Sequence, residues 1–361
     1  MRVRALLIVN PRATSTTRLR RDVIASALAS AVELEVTETR YRGHATKLAS
    51  VACSEGYGLV LTLGGDGTVN EAVNGILHQP GRSAAGAAEL PALAALPGGS
   101  ANVFTGALGL SRDPVDATGQ VLRAVAERRE RTIGLGTADG RFFTFNSGLG
   151  LDAEVVRAVQ GLRAHGRPVT TALYVRLALR QFYRQTDRRH PSIAVEPHGR
   201  PAEGPVFLGI VSNTAPWTYL GSREVHANPQ AGFDTGLDLF ALRNMSTFST
   251  FSTLGKMLTI RGGEMGGKNV LSYHDQPSVM LRASRPVAFQ IDGEYVGERE
   301  VVEFRSVPRA LRVIALSPLP KASSPPGRNP SNGLSRAKVT QAGRRAGQVP
   351  YPADGSCPPC D

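Results

Sequence analysis

Residues 57–77 constrain the fold more than any other stretch. An apolar run, Tyr57–Leu63, ends in Gly64-Gly65-Asp66-Gly67, and Thr68–Leu77 then reads as a helix. A strand that turns through glycine straight into a helix opens a parallel β/α unit, because the crossover must carry the chain back along the sheet. The flanking segments agree. Val3–Val9 reads as a first strand, Arg18–Val32 as a helix and Leu34–Thr39 as extended, and a helix opens around Gly43–Ala45 and runs to about Ser54. Such alternation implies a parallel sheet covered by helices. Glycine permits close backbone approach to a ligand, and a helix N-terminus offers N–H groups and partial positive charge to phosphate. Thr68 and Glu71 have the spacing of a capping box. Spacing alone leaves a plain, well-capped strand–turn–helix corner open.

From about Thr132 the pattern changes. Phe142–Phe145, Val206–Ser212, Leu237–Ala241, Val279–Ala283 and Val287–Ile291 are short strand-like runs separated by turn residues. They predict a mostly antiparallel β domain, interrupted by a helix near Leu173–Arg184. Residues 321–361 are rich in Pro, Gly, Ser, Arg and Ala, and predict a disordered basic tail. The expected organisation is an α/β domain over 1–130, a β-rich domain over 131–310 and the tail.

The 361 residues carry a formal charge of +12, and 37 of the 42 basic residues are arginine. Arginine forks match phosphate and carboxylate oxygens, so an anionic partner is expected. Two phosphate motifs are missing. The Gly-Lys pairs, Gly255-Lys256 and Gly267-Lys268, lead into Met257 and Asn269, so there is no P-loop, and no G-x-G-x-x-G follows a strand. The longest uncharged run, Leu90–Ser111, is broken by Pro91, Pro97, Gly98, Gly99 and Asn102, too often for a membrane-spanning helix. The first eleven residues hold too short an apolar stretch for a signal peptide. Cys53, Cys357 and Cys360 form no disulfide framework, which fits a reducing cytoplasm. Cys357 and Cys360 have CxxC spacing, but two thiols do not complete a zinc site.

Residues 64–75, GGDGTVNEAVNG, resemble the signature of the diacylglycerol kinase catalytic-domain family, which includes soluble bacterial lipid kinases and sphingosine kinases. Other elements fall in the family's order: Val9-Asn10-Pro11, Thr39 with Gly43-His44-Ala45, Leu96–Asn102, Asn146–Asp152, Asp234–Asp238 and Asp292-Gly293-Glu294. The resemblance spans about residues 1–316. It implies a two-domain lipid kinase, in which the N-terminal α/β domain binds ATP and a C-terminal β-sandwich helps bind lipid. The strand near 311–316 would return to the first domain. The reaction would move the γ-phosphoryl group of ATP, with Mg²⁺, to a lipid hydroxyl, diacylglycerol giving phosphatidic acid. By resemblance, Asn10, Pro11, Arg12, Ala13, Thr14, Thr39, Gly64, Gly65, Asp66, Gly67, Thr68, Val69, Asn70 and Ser100 would contact nucleotide. Asp66 would hold Mg²⁺ or orient the acceptor. Glu294 is the first choice for general base and Asp292 the second, against a reading of Asp292-Gly293 as a simple hairpin turn. Many relatives have Asp-Asp-Gly where this chain has Asp234-Thr235-Gly236, so a cation there would fall to the carbonyls of Gly232, Thr235 and Leu237.

Arg176, Arg180 and Arg184 share one helical face, which reads either as contact with anionic phospholipid at a membrane surface or as a solvated face. The expected enzyme is cytoplasmic, peripheral at the inner face of the membrane, with room for a homodimer. Its rivals are a NAD kinase-like phosphotransferase and a non-catalytic nucleotide- or lipid-binding regulator. Aromatic residues make up only 6% of the chain and form no RNA-binding motif, so no nucleic-acid partner is expected.

Overall fold

Five consecutive buried residues, Ala5–Val9, make β1 (Arg4–Val9) an interior strand. The computed structural model describes residues 2–13, 17–78, 89–164 and 170–315. After β1 come α1 (Arg18–Ala31), β2 (Glu33–Glu38), α2 (His44–Ser54), β3 (Leu59–Gly64), α3 (Asp66–Leu77), β4 (Ala92–Pro97), α4 (Val103–Ala107) and α5 (Pro114–Ala126). The strands are parallel in the order β4-β3-β1-β2. The chain steps from β1 to β2 in one direction and from β2 back past β1 to β3 in the other. Right-handed crossovers therefore put α1 and α2 on opposite faces, and α1 packs with α5 while α2 packs with α3. Helix starts follow local chemistry. Thr17 caps α1 through the amide of Arg20, and Asp113 caps α5 just ahead of Pro114.

The second half is strand-rich. It runs β5 (Glu130–Ala138), β6 (Arg141–Phe143), β7 (Asn146–Gly150), α6 (Leu151–Ala164), α7 (Thr171–Arg184), β8 (Ile193–Pro197), β9 (Glu203–Val206), β10 (Leu208–Ser212), β11 (Thr218–Leu220), β12 (Arg223–Val225), β13 (Leu237–Leu242), α8 (Thr247–Thr259), β14 (Val270–Gln276), β15 (Ser278–Ile291) and β16 (Glu294–Ile314). β14-β13-β10-β7-β15-β16 pair in that order, antiparallel throughout. Phe143, Phe289 and Phe304 meet edge to face inside this half. β16 turns at a bulge between Val307 and Leu311, and Val313 then lies parallel to Leu93 of β4. One strand thus belongs to both halves.

Several sequence expectations change. α3 begins at Asp66, so Thr68 lies inside the helix and does not cap it. Phe142–Phe145 divides between β6 and the approach to β7, because Thr144 and Phe145 turn their amides onto a buried carboxylate. The runs Val279–Ala283 and Val287–Ile291 form one strand, β15, with a register shift between Arg282 and Val287. α6 and α8 join α7 where one helix was expected. The tail over 321–361, with Cys357 and Cys360, lies outside the described residues, as does Thr14.

Candidate active site

All four parallel strands end at one edge, and their loops build the site. In the order β4-β3-β1-β2 the switch point lies between β1 and β3, where crossovers leave to opposite sides and a crevice opens. Asn10, just past β1, bridges that crevice. Its amide N–H donates to Leu63 O at 2.9 Å, and its Nδ2 donates to Thr68 Oγ1 at 3.1 Å. Arg12 N donates back to Asn10 Oδ1 at 3.0 Å, folding the loop of Pro11, Arg12 and Ala13 over the strand end. Thr39 follows β2 and is anchored by its amide on Val9 O at 2.8 Å.

The loops after β3 and β4 lie back to back. Gly98 N donates to Gly64 O at 2.7 Å. A Cβ on Gly99 would come within 2.7 Å of Gly65 Cα, and one on Gly65 within 3.3 Å of Gly99 Cα. These glycines thus serve loop-on-loop contact as well as access to a ligand. Asn102 closes the second loop, accepting from Gly99 N and donating to Gly99 O. Ser100 is exposed beside them, and its carbonyl accepts from Arg112.

The first turn of α3 has no side-chain cap. Glu71 instead crosses to α2, where its carboxylate accepts from Gly43 N at 2.8 Å and Ala45 N at 3.1 Å. That leaves the α3 N-terminus free of the Glu71 carboxylate. Asp66 caps a neighbour in the same way, accepting from Phe104 N at 3.1 Å at the start of α4. Burial pushes its carboxyl up to about 6, against the backbone donors of α4, although its edge still meets solvent.

Glu294 reaches this turn from the β-rich half. A Cβ on Gly67 would lie 3.3 Å from Glu294 Oε1. Arg42 donates to Glu294 Oε2 at 3.0 Å, and Arg141 lies 3.4 Å from the same oxygen. Sequence reasoning missed both arginines, since residues 42, 141 and 294 share no local pattern. Asp292 behaves differently. It is 4% exposed, at the first position of a two-residue turn with φ +47°, and Gly293 follows with φ +72°. Its carboxylate accepts from Thr144 N and Oγ1, Phe145 N, Asn146 N and Asn70 Nδ2, at 2.7–3.3 Å. Burial pushes this carboxyl up, against those donors. Asp-Gly is thus a hairpin turn and also a buried anchor.

Asn70 does not face the crevice. Its Nδ2 serves Phe142 O and Asp292, and its Oδ1 accepts from Arg141 at 2.7 Å and from Asn74. Val69 is buried in the core. Asn10, Gly64–Thr68 and Glu294 do converge, with Thr39 and Ser100 on flanking loops.

The turn over 232–237 is closed on itself. Thr235 donates to Gly232 O through both N and Oγ1, at 3.1 and 2.9 Å, which uses both lone pairs of that carbonyl. Leu237 is fully buried in β13, and Asp234 pairs with Arg131. The Gly232 carbonyl is thus already engaged within its own turn. Among the described residues no cluster of three or more His, Cys, Asp or Glu could hold a metal. Asp66 does fit Mg²⁺, which commonly takes one or two carboxylates and completes its shell from phosphate and water.

Residues 4–138 match the diacylglycerol kinase catalytic domain. The match covers the α/β half and β5. The chain is similar to a diacylglycerol kinase of Bacillus subtilis (strain 168), with 27% identity over 307 residues, 81% of this chain and 90% of the relative. A diacylglycerol kinase of Staphylococcus aureus (strain JH9) is 26% identical over 307 residues, 82% of this chain and 88% of the relative. The crystal structure of a diacylglycerol kinase from Bacillus anthracis strain Sterne shares the fold, with a TM-score of 0.63 at 19% identity, covering 87% of this chain and 97% of that one. Both relatives are diacylglycerol kinases, and the matched region is a kinase catalytic domain.

Proposed function

We propose that this enzyme transfers the γ-phosphoryl group of ATP to the hydroxyl of diacylglycerol, giving phosphatidic acid, at the inner face of the membrane. The observation that carries the reading is the Glu294 carboxylate beside Gly67, at the N-terminal turn of α3, flanked by Arg42 and Arg141. A carboxylate held by two guanidiniums at a helix N-terminus marks a place built for negative charge. A phosphoryl group there would meet the same arginines and the same backbone N–H groups.

The chain's own residues then have distinct roles. Glu294 takes the proton of the lipid hydroxyl as its oxygen attacks phosphorus and ADP leaves. Arg42 and Arg141 turn from Glu294 to the equatorial oxygens of the transferred group. Asn10 and the amides of Gly64–Thr68 hold the nucleotide phosphates. Asp66 would hold Mg²⁺, which would supply charge neutralisation on the phosphates. Asp292 positions the turn that aims Glu294.

The test uses purified protein, labelled ATP, Mg²⁺ and a total lipid extract, with the product identified by mass spectrometry. Labelled phosphatidic acid is the expected product. Label in added NAD alone would overturn the lipid reading in favour of a NAD kinase-like activity.

A further inference from the structure

Two helices of the β-rich half expose apolar side chains that the fold does not use. On α7, Val175, Leu179 and Tyr183 recur every four residues and are 40%, 39% and 48% exposed. Arg176, Arg180 and Arg184 each follow one of them, so a cationic stripe lies about 100° round the helix from the apolar one. Thr171–Arg184 contains no acidic residue, and among the described residues none of these arginines has an ion-pair partner. The first turn of α8 continues the apolar stripe. Phe248 is 87% exposed and Phe251 42%. The Phe251 ring meets buried Phe182 of α7 edge to face at 6.3 Å. Arg188 ties the two helices, bonding Thr247 Oγ1 at 3.3 Å while its guanidinium lies over Phe182 and Tyr183.

We propose that this α7–α8 edge seats the enzyme on an anionic phospholipid bilayer, with Phe248 as the deepest group and the α7 arginines on lipid phosphates. The inference rests on the lipid kinase reading, which requires an acceptor drawn from a bilayer. Charge decides the occupant. An apolar stripe beside a stripe of one sign is the pattern of a helix lying in a membrane interface. Tyr183 and the long arginine stems suit the boundary between headgroup and acyl chain. The edge is also joined to the site. Gln181 of α7 donates to Glu154 of α6 at 2.9 Å, and Gln160 of α6 accepts from Tyr295 N at 3.0 Å, next to Glu294.

The test makes Phe248→Trp a depth probe in the full chain, with Trp217 the one native tryptophan. Vesicles containing phosphatidylglycerol should shift its emission to the blue, and brominated acyl chains should quench it. Phosphatidylcholine vesicles alone should do neither at moderate salt. Phe248→Ser should weaken vesicle binding about tenfold. Changing Arg176, Arg180 and Arg184 together to Gln should weaken it about a hundredfold, less at high salt. Turnover of a short-chain diacylglycerol below its micellar concentration should stay unchanged in Phe248→Ser, while turnover on vesicles falls. An enzyme active on vesicles whose Phe248→Trp probe is neither shifted nor quenched overturns the proposal. So does a lipid-free dimer that Phe248→Ser converts to monomer, since the edge would then join two copies. No lipid phosphorylation by wild type in any form overturns the kinase reading instead, and the vesicle probe remains readable.

Discussion

Asp292 and Glu294 stand two residues apart, yet their surroundings give them different work. Five donors saturate Asp292, whereas among the described residues Glu294 pairs with arginine side chains beside the glycine loop. Glu294→Gln should therefore keep nucleotide affinity and lose ~10²–10⁴-fold in kcat. Asp292→Asn should show mainly in urea unfolding, because an amide NH₂ turned onto backbone donors leaves buried groups unsatisfied at ~1–3 kcal/mol each. Normal turnover in Glu294→Gln, with a folded but dead Asp292→Asn, would reverse the two roles. Arg42 is exposed and can be removed without opening the core. If it meets the transferred phosphoryl group, Arg42→Ala should weaken ATP binding about 10–100-fold and leave ADP binding as it was. Equal losses for both nucleotides in calorimetry would remove Arg42 from that role. Asp152 supplies a pH signature. Burial pushes its carboxyl up to about 6, although Gln290 donates to it at 2.8 Å. Between its ordinary value of 3.8 and about 6, the folded chain holds a proton that the unfolded chain has lost. The Asp152 contribution to stability thus falls as pH rises through that window and is fully unfavourable above it. Asp152→Asn keeps a carbonyl for Gln290 and removes the ionisation. Its gain over wild type in thermal unfolding should be near zero at about pH 4 and reach at most about 3 kcal/mol above about pH 7.

Helices α2 and α3 touch backbone to backbone, and that contact belongs to the element scale. A Cβ on Gly75 would sit 2.2 Å from Thr46 O and 2.9 Å from Ala49 Cβ. Ala45, Ala49 and Ala52 are all fully buried along α2, so no flexible side chain is available to yield. Gly75→Ala should separate the helices and cost ~1–3 kcal/mol or more. Gly119 is the control. It is exposed in the interior of α5 with nothing within 4 Å of an added Cβ, so Gly119→Ala should gain ~0.5–1 kcal/mol. Urea midpoints moving in the same direction would show that the α2–α3 contact yields more easily than its distances imply. Elements of this kind were legible in the chain to different degrees. The strand–glycine–helix unit and the Asp-Gly turn announce themselves locally, because backbone conformation selects those residues. Thr68 and Glu71 misled for a related reason. Their spacing matches a capping box, but α3 starts two residues earlier, and each side chain finds its partner across the fold, on Asn10 and α2. α8 stayed hidden because Thr247–Thr259 is rich in Thr, Ser and Phe, and its buried face is only Ser249, Thr253 and Met257. Arg42 and Arg141 carry no pattern at all, since only tertiary structure brings them to Glu294.

At the scale of the molecule, one asparagine holds the two halves in register. Asn70 belongs to α3 of the α/β half, and its amide reaches Phe142 O, Arg141 and Asp292, all in the β-rich half. Asn74, one turn on, repeats the link through Phe142 N and O. Glu294, Arg141 beside it and the glycine loop come from opposite sides of this seam, so the seam sets their spacing. Asn70→Asp preserves shape and changes only charge and donors. It would place a second carboxylate against Asp292, where Nδ2 now donates at 2.8 Å. Two buried carboxylates at that distance cannot both ionise, so the new group would hold its proton far above the unfolded value. The folded chain would then bind a proton that the unfolded chain releases, and destabilisation would grow as pH rises from about 4. Thermal unfolding of Asn70→Asp should approach wild type in mild acid and fall below it by several degrees at neutral pH, the shift expected for about 1 kcal/mol or more. Turnover should fall alongside, because loss of the Asn70 Nδ2 donor would loosen the seam that holds Arg141 beside Glu294. A variant with wild-type stability and turnover at neutral pH would show that the seam is held elsewhere, and that Glu294 reaches the glycine loop without it.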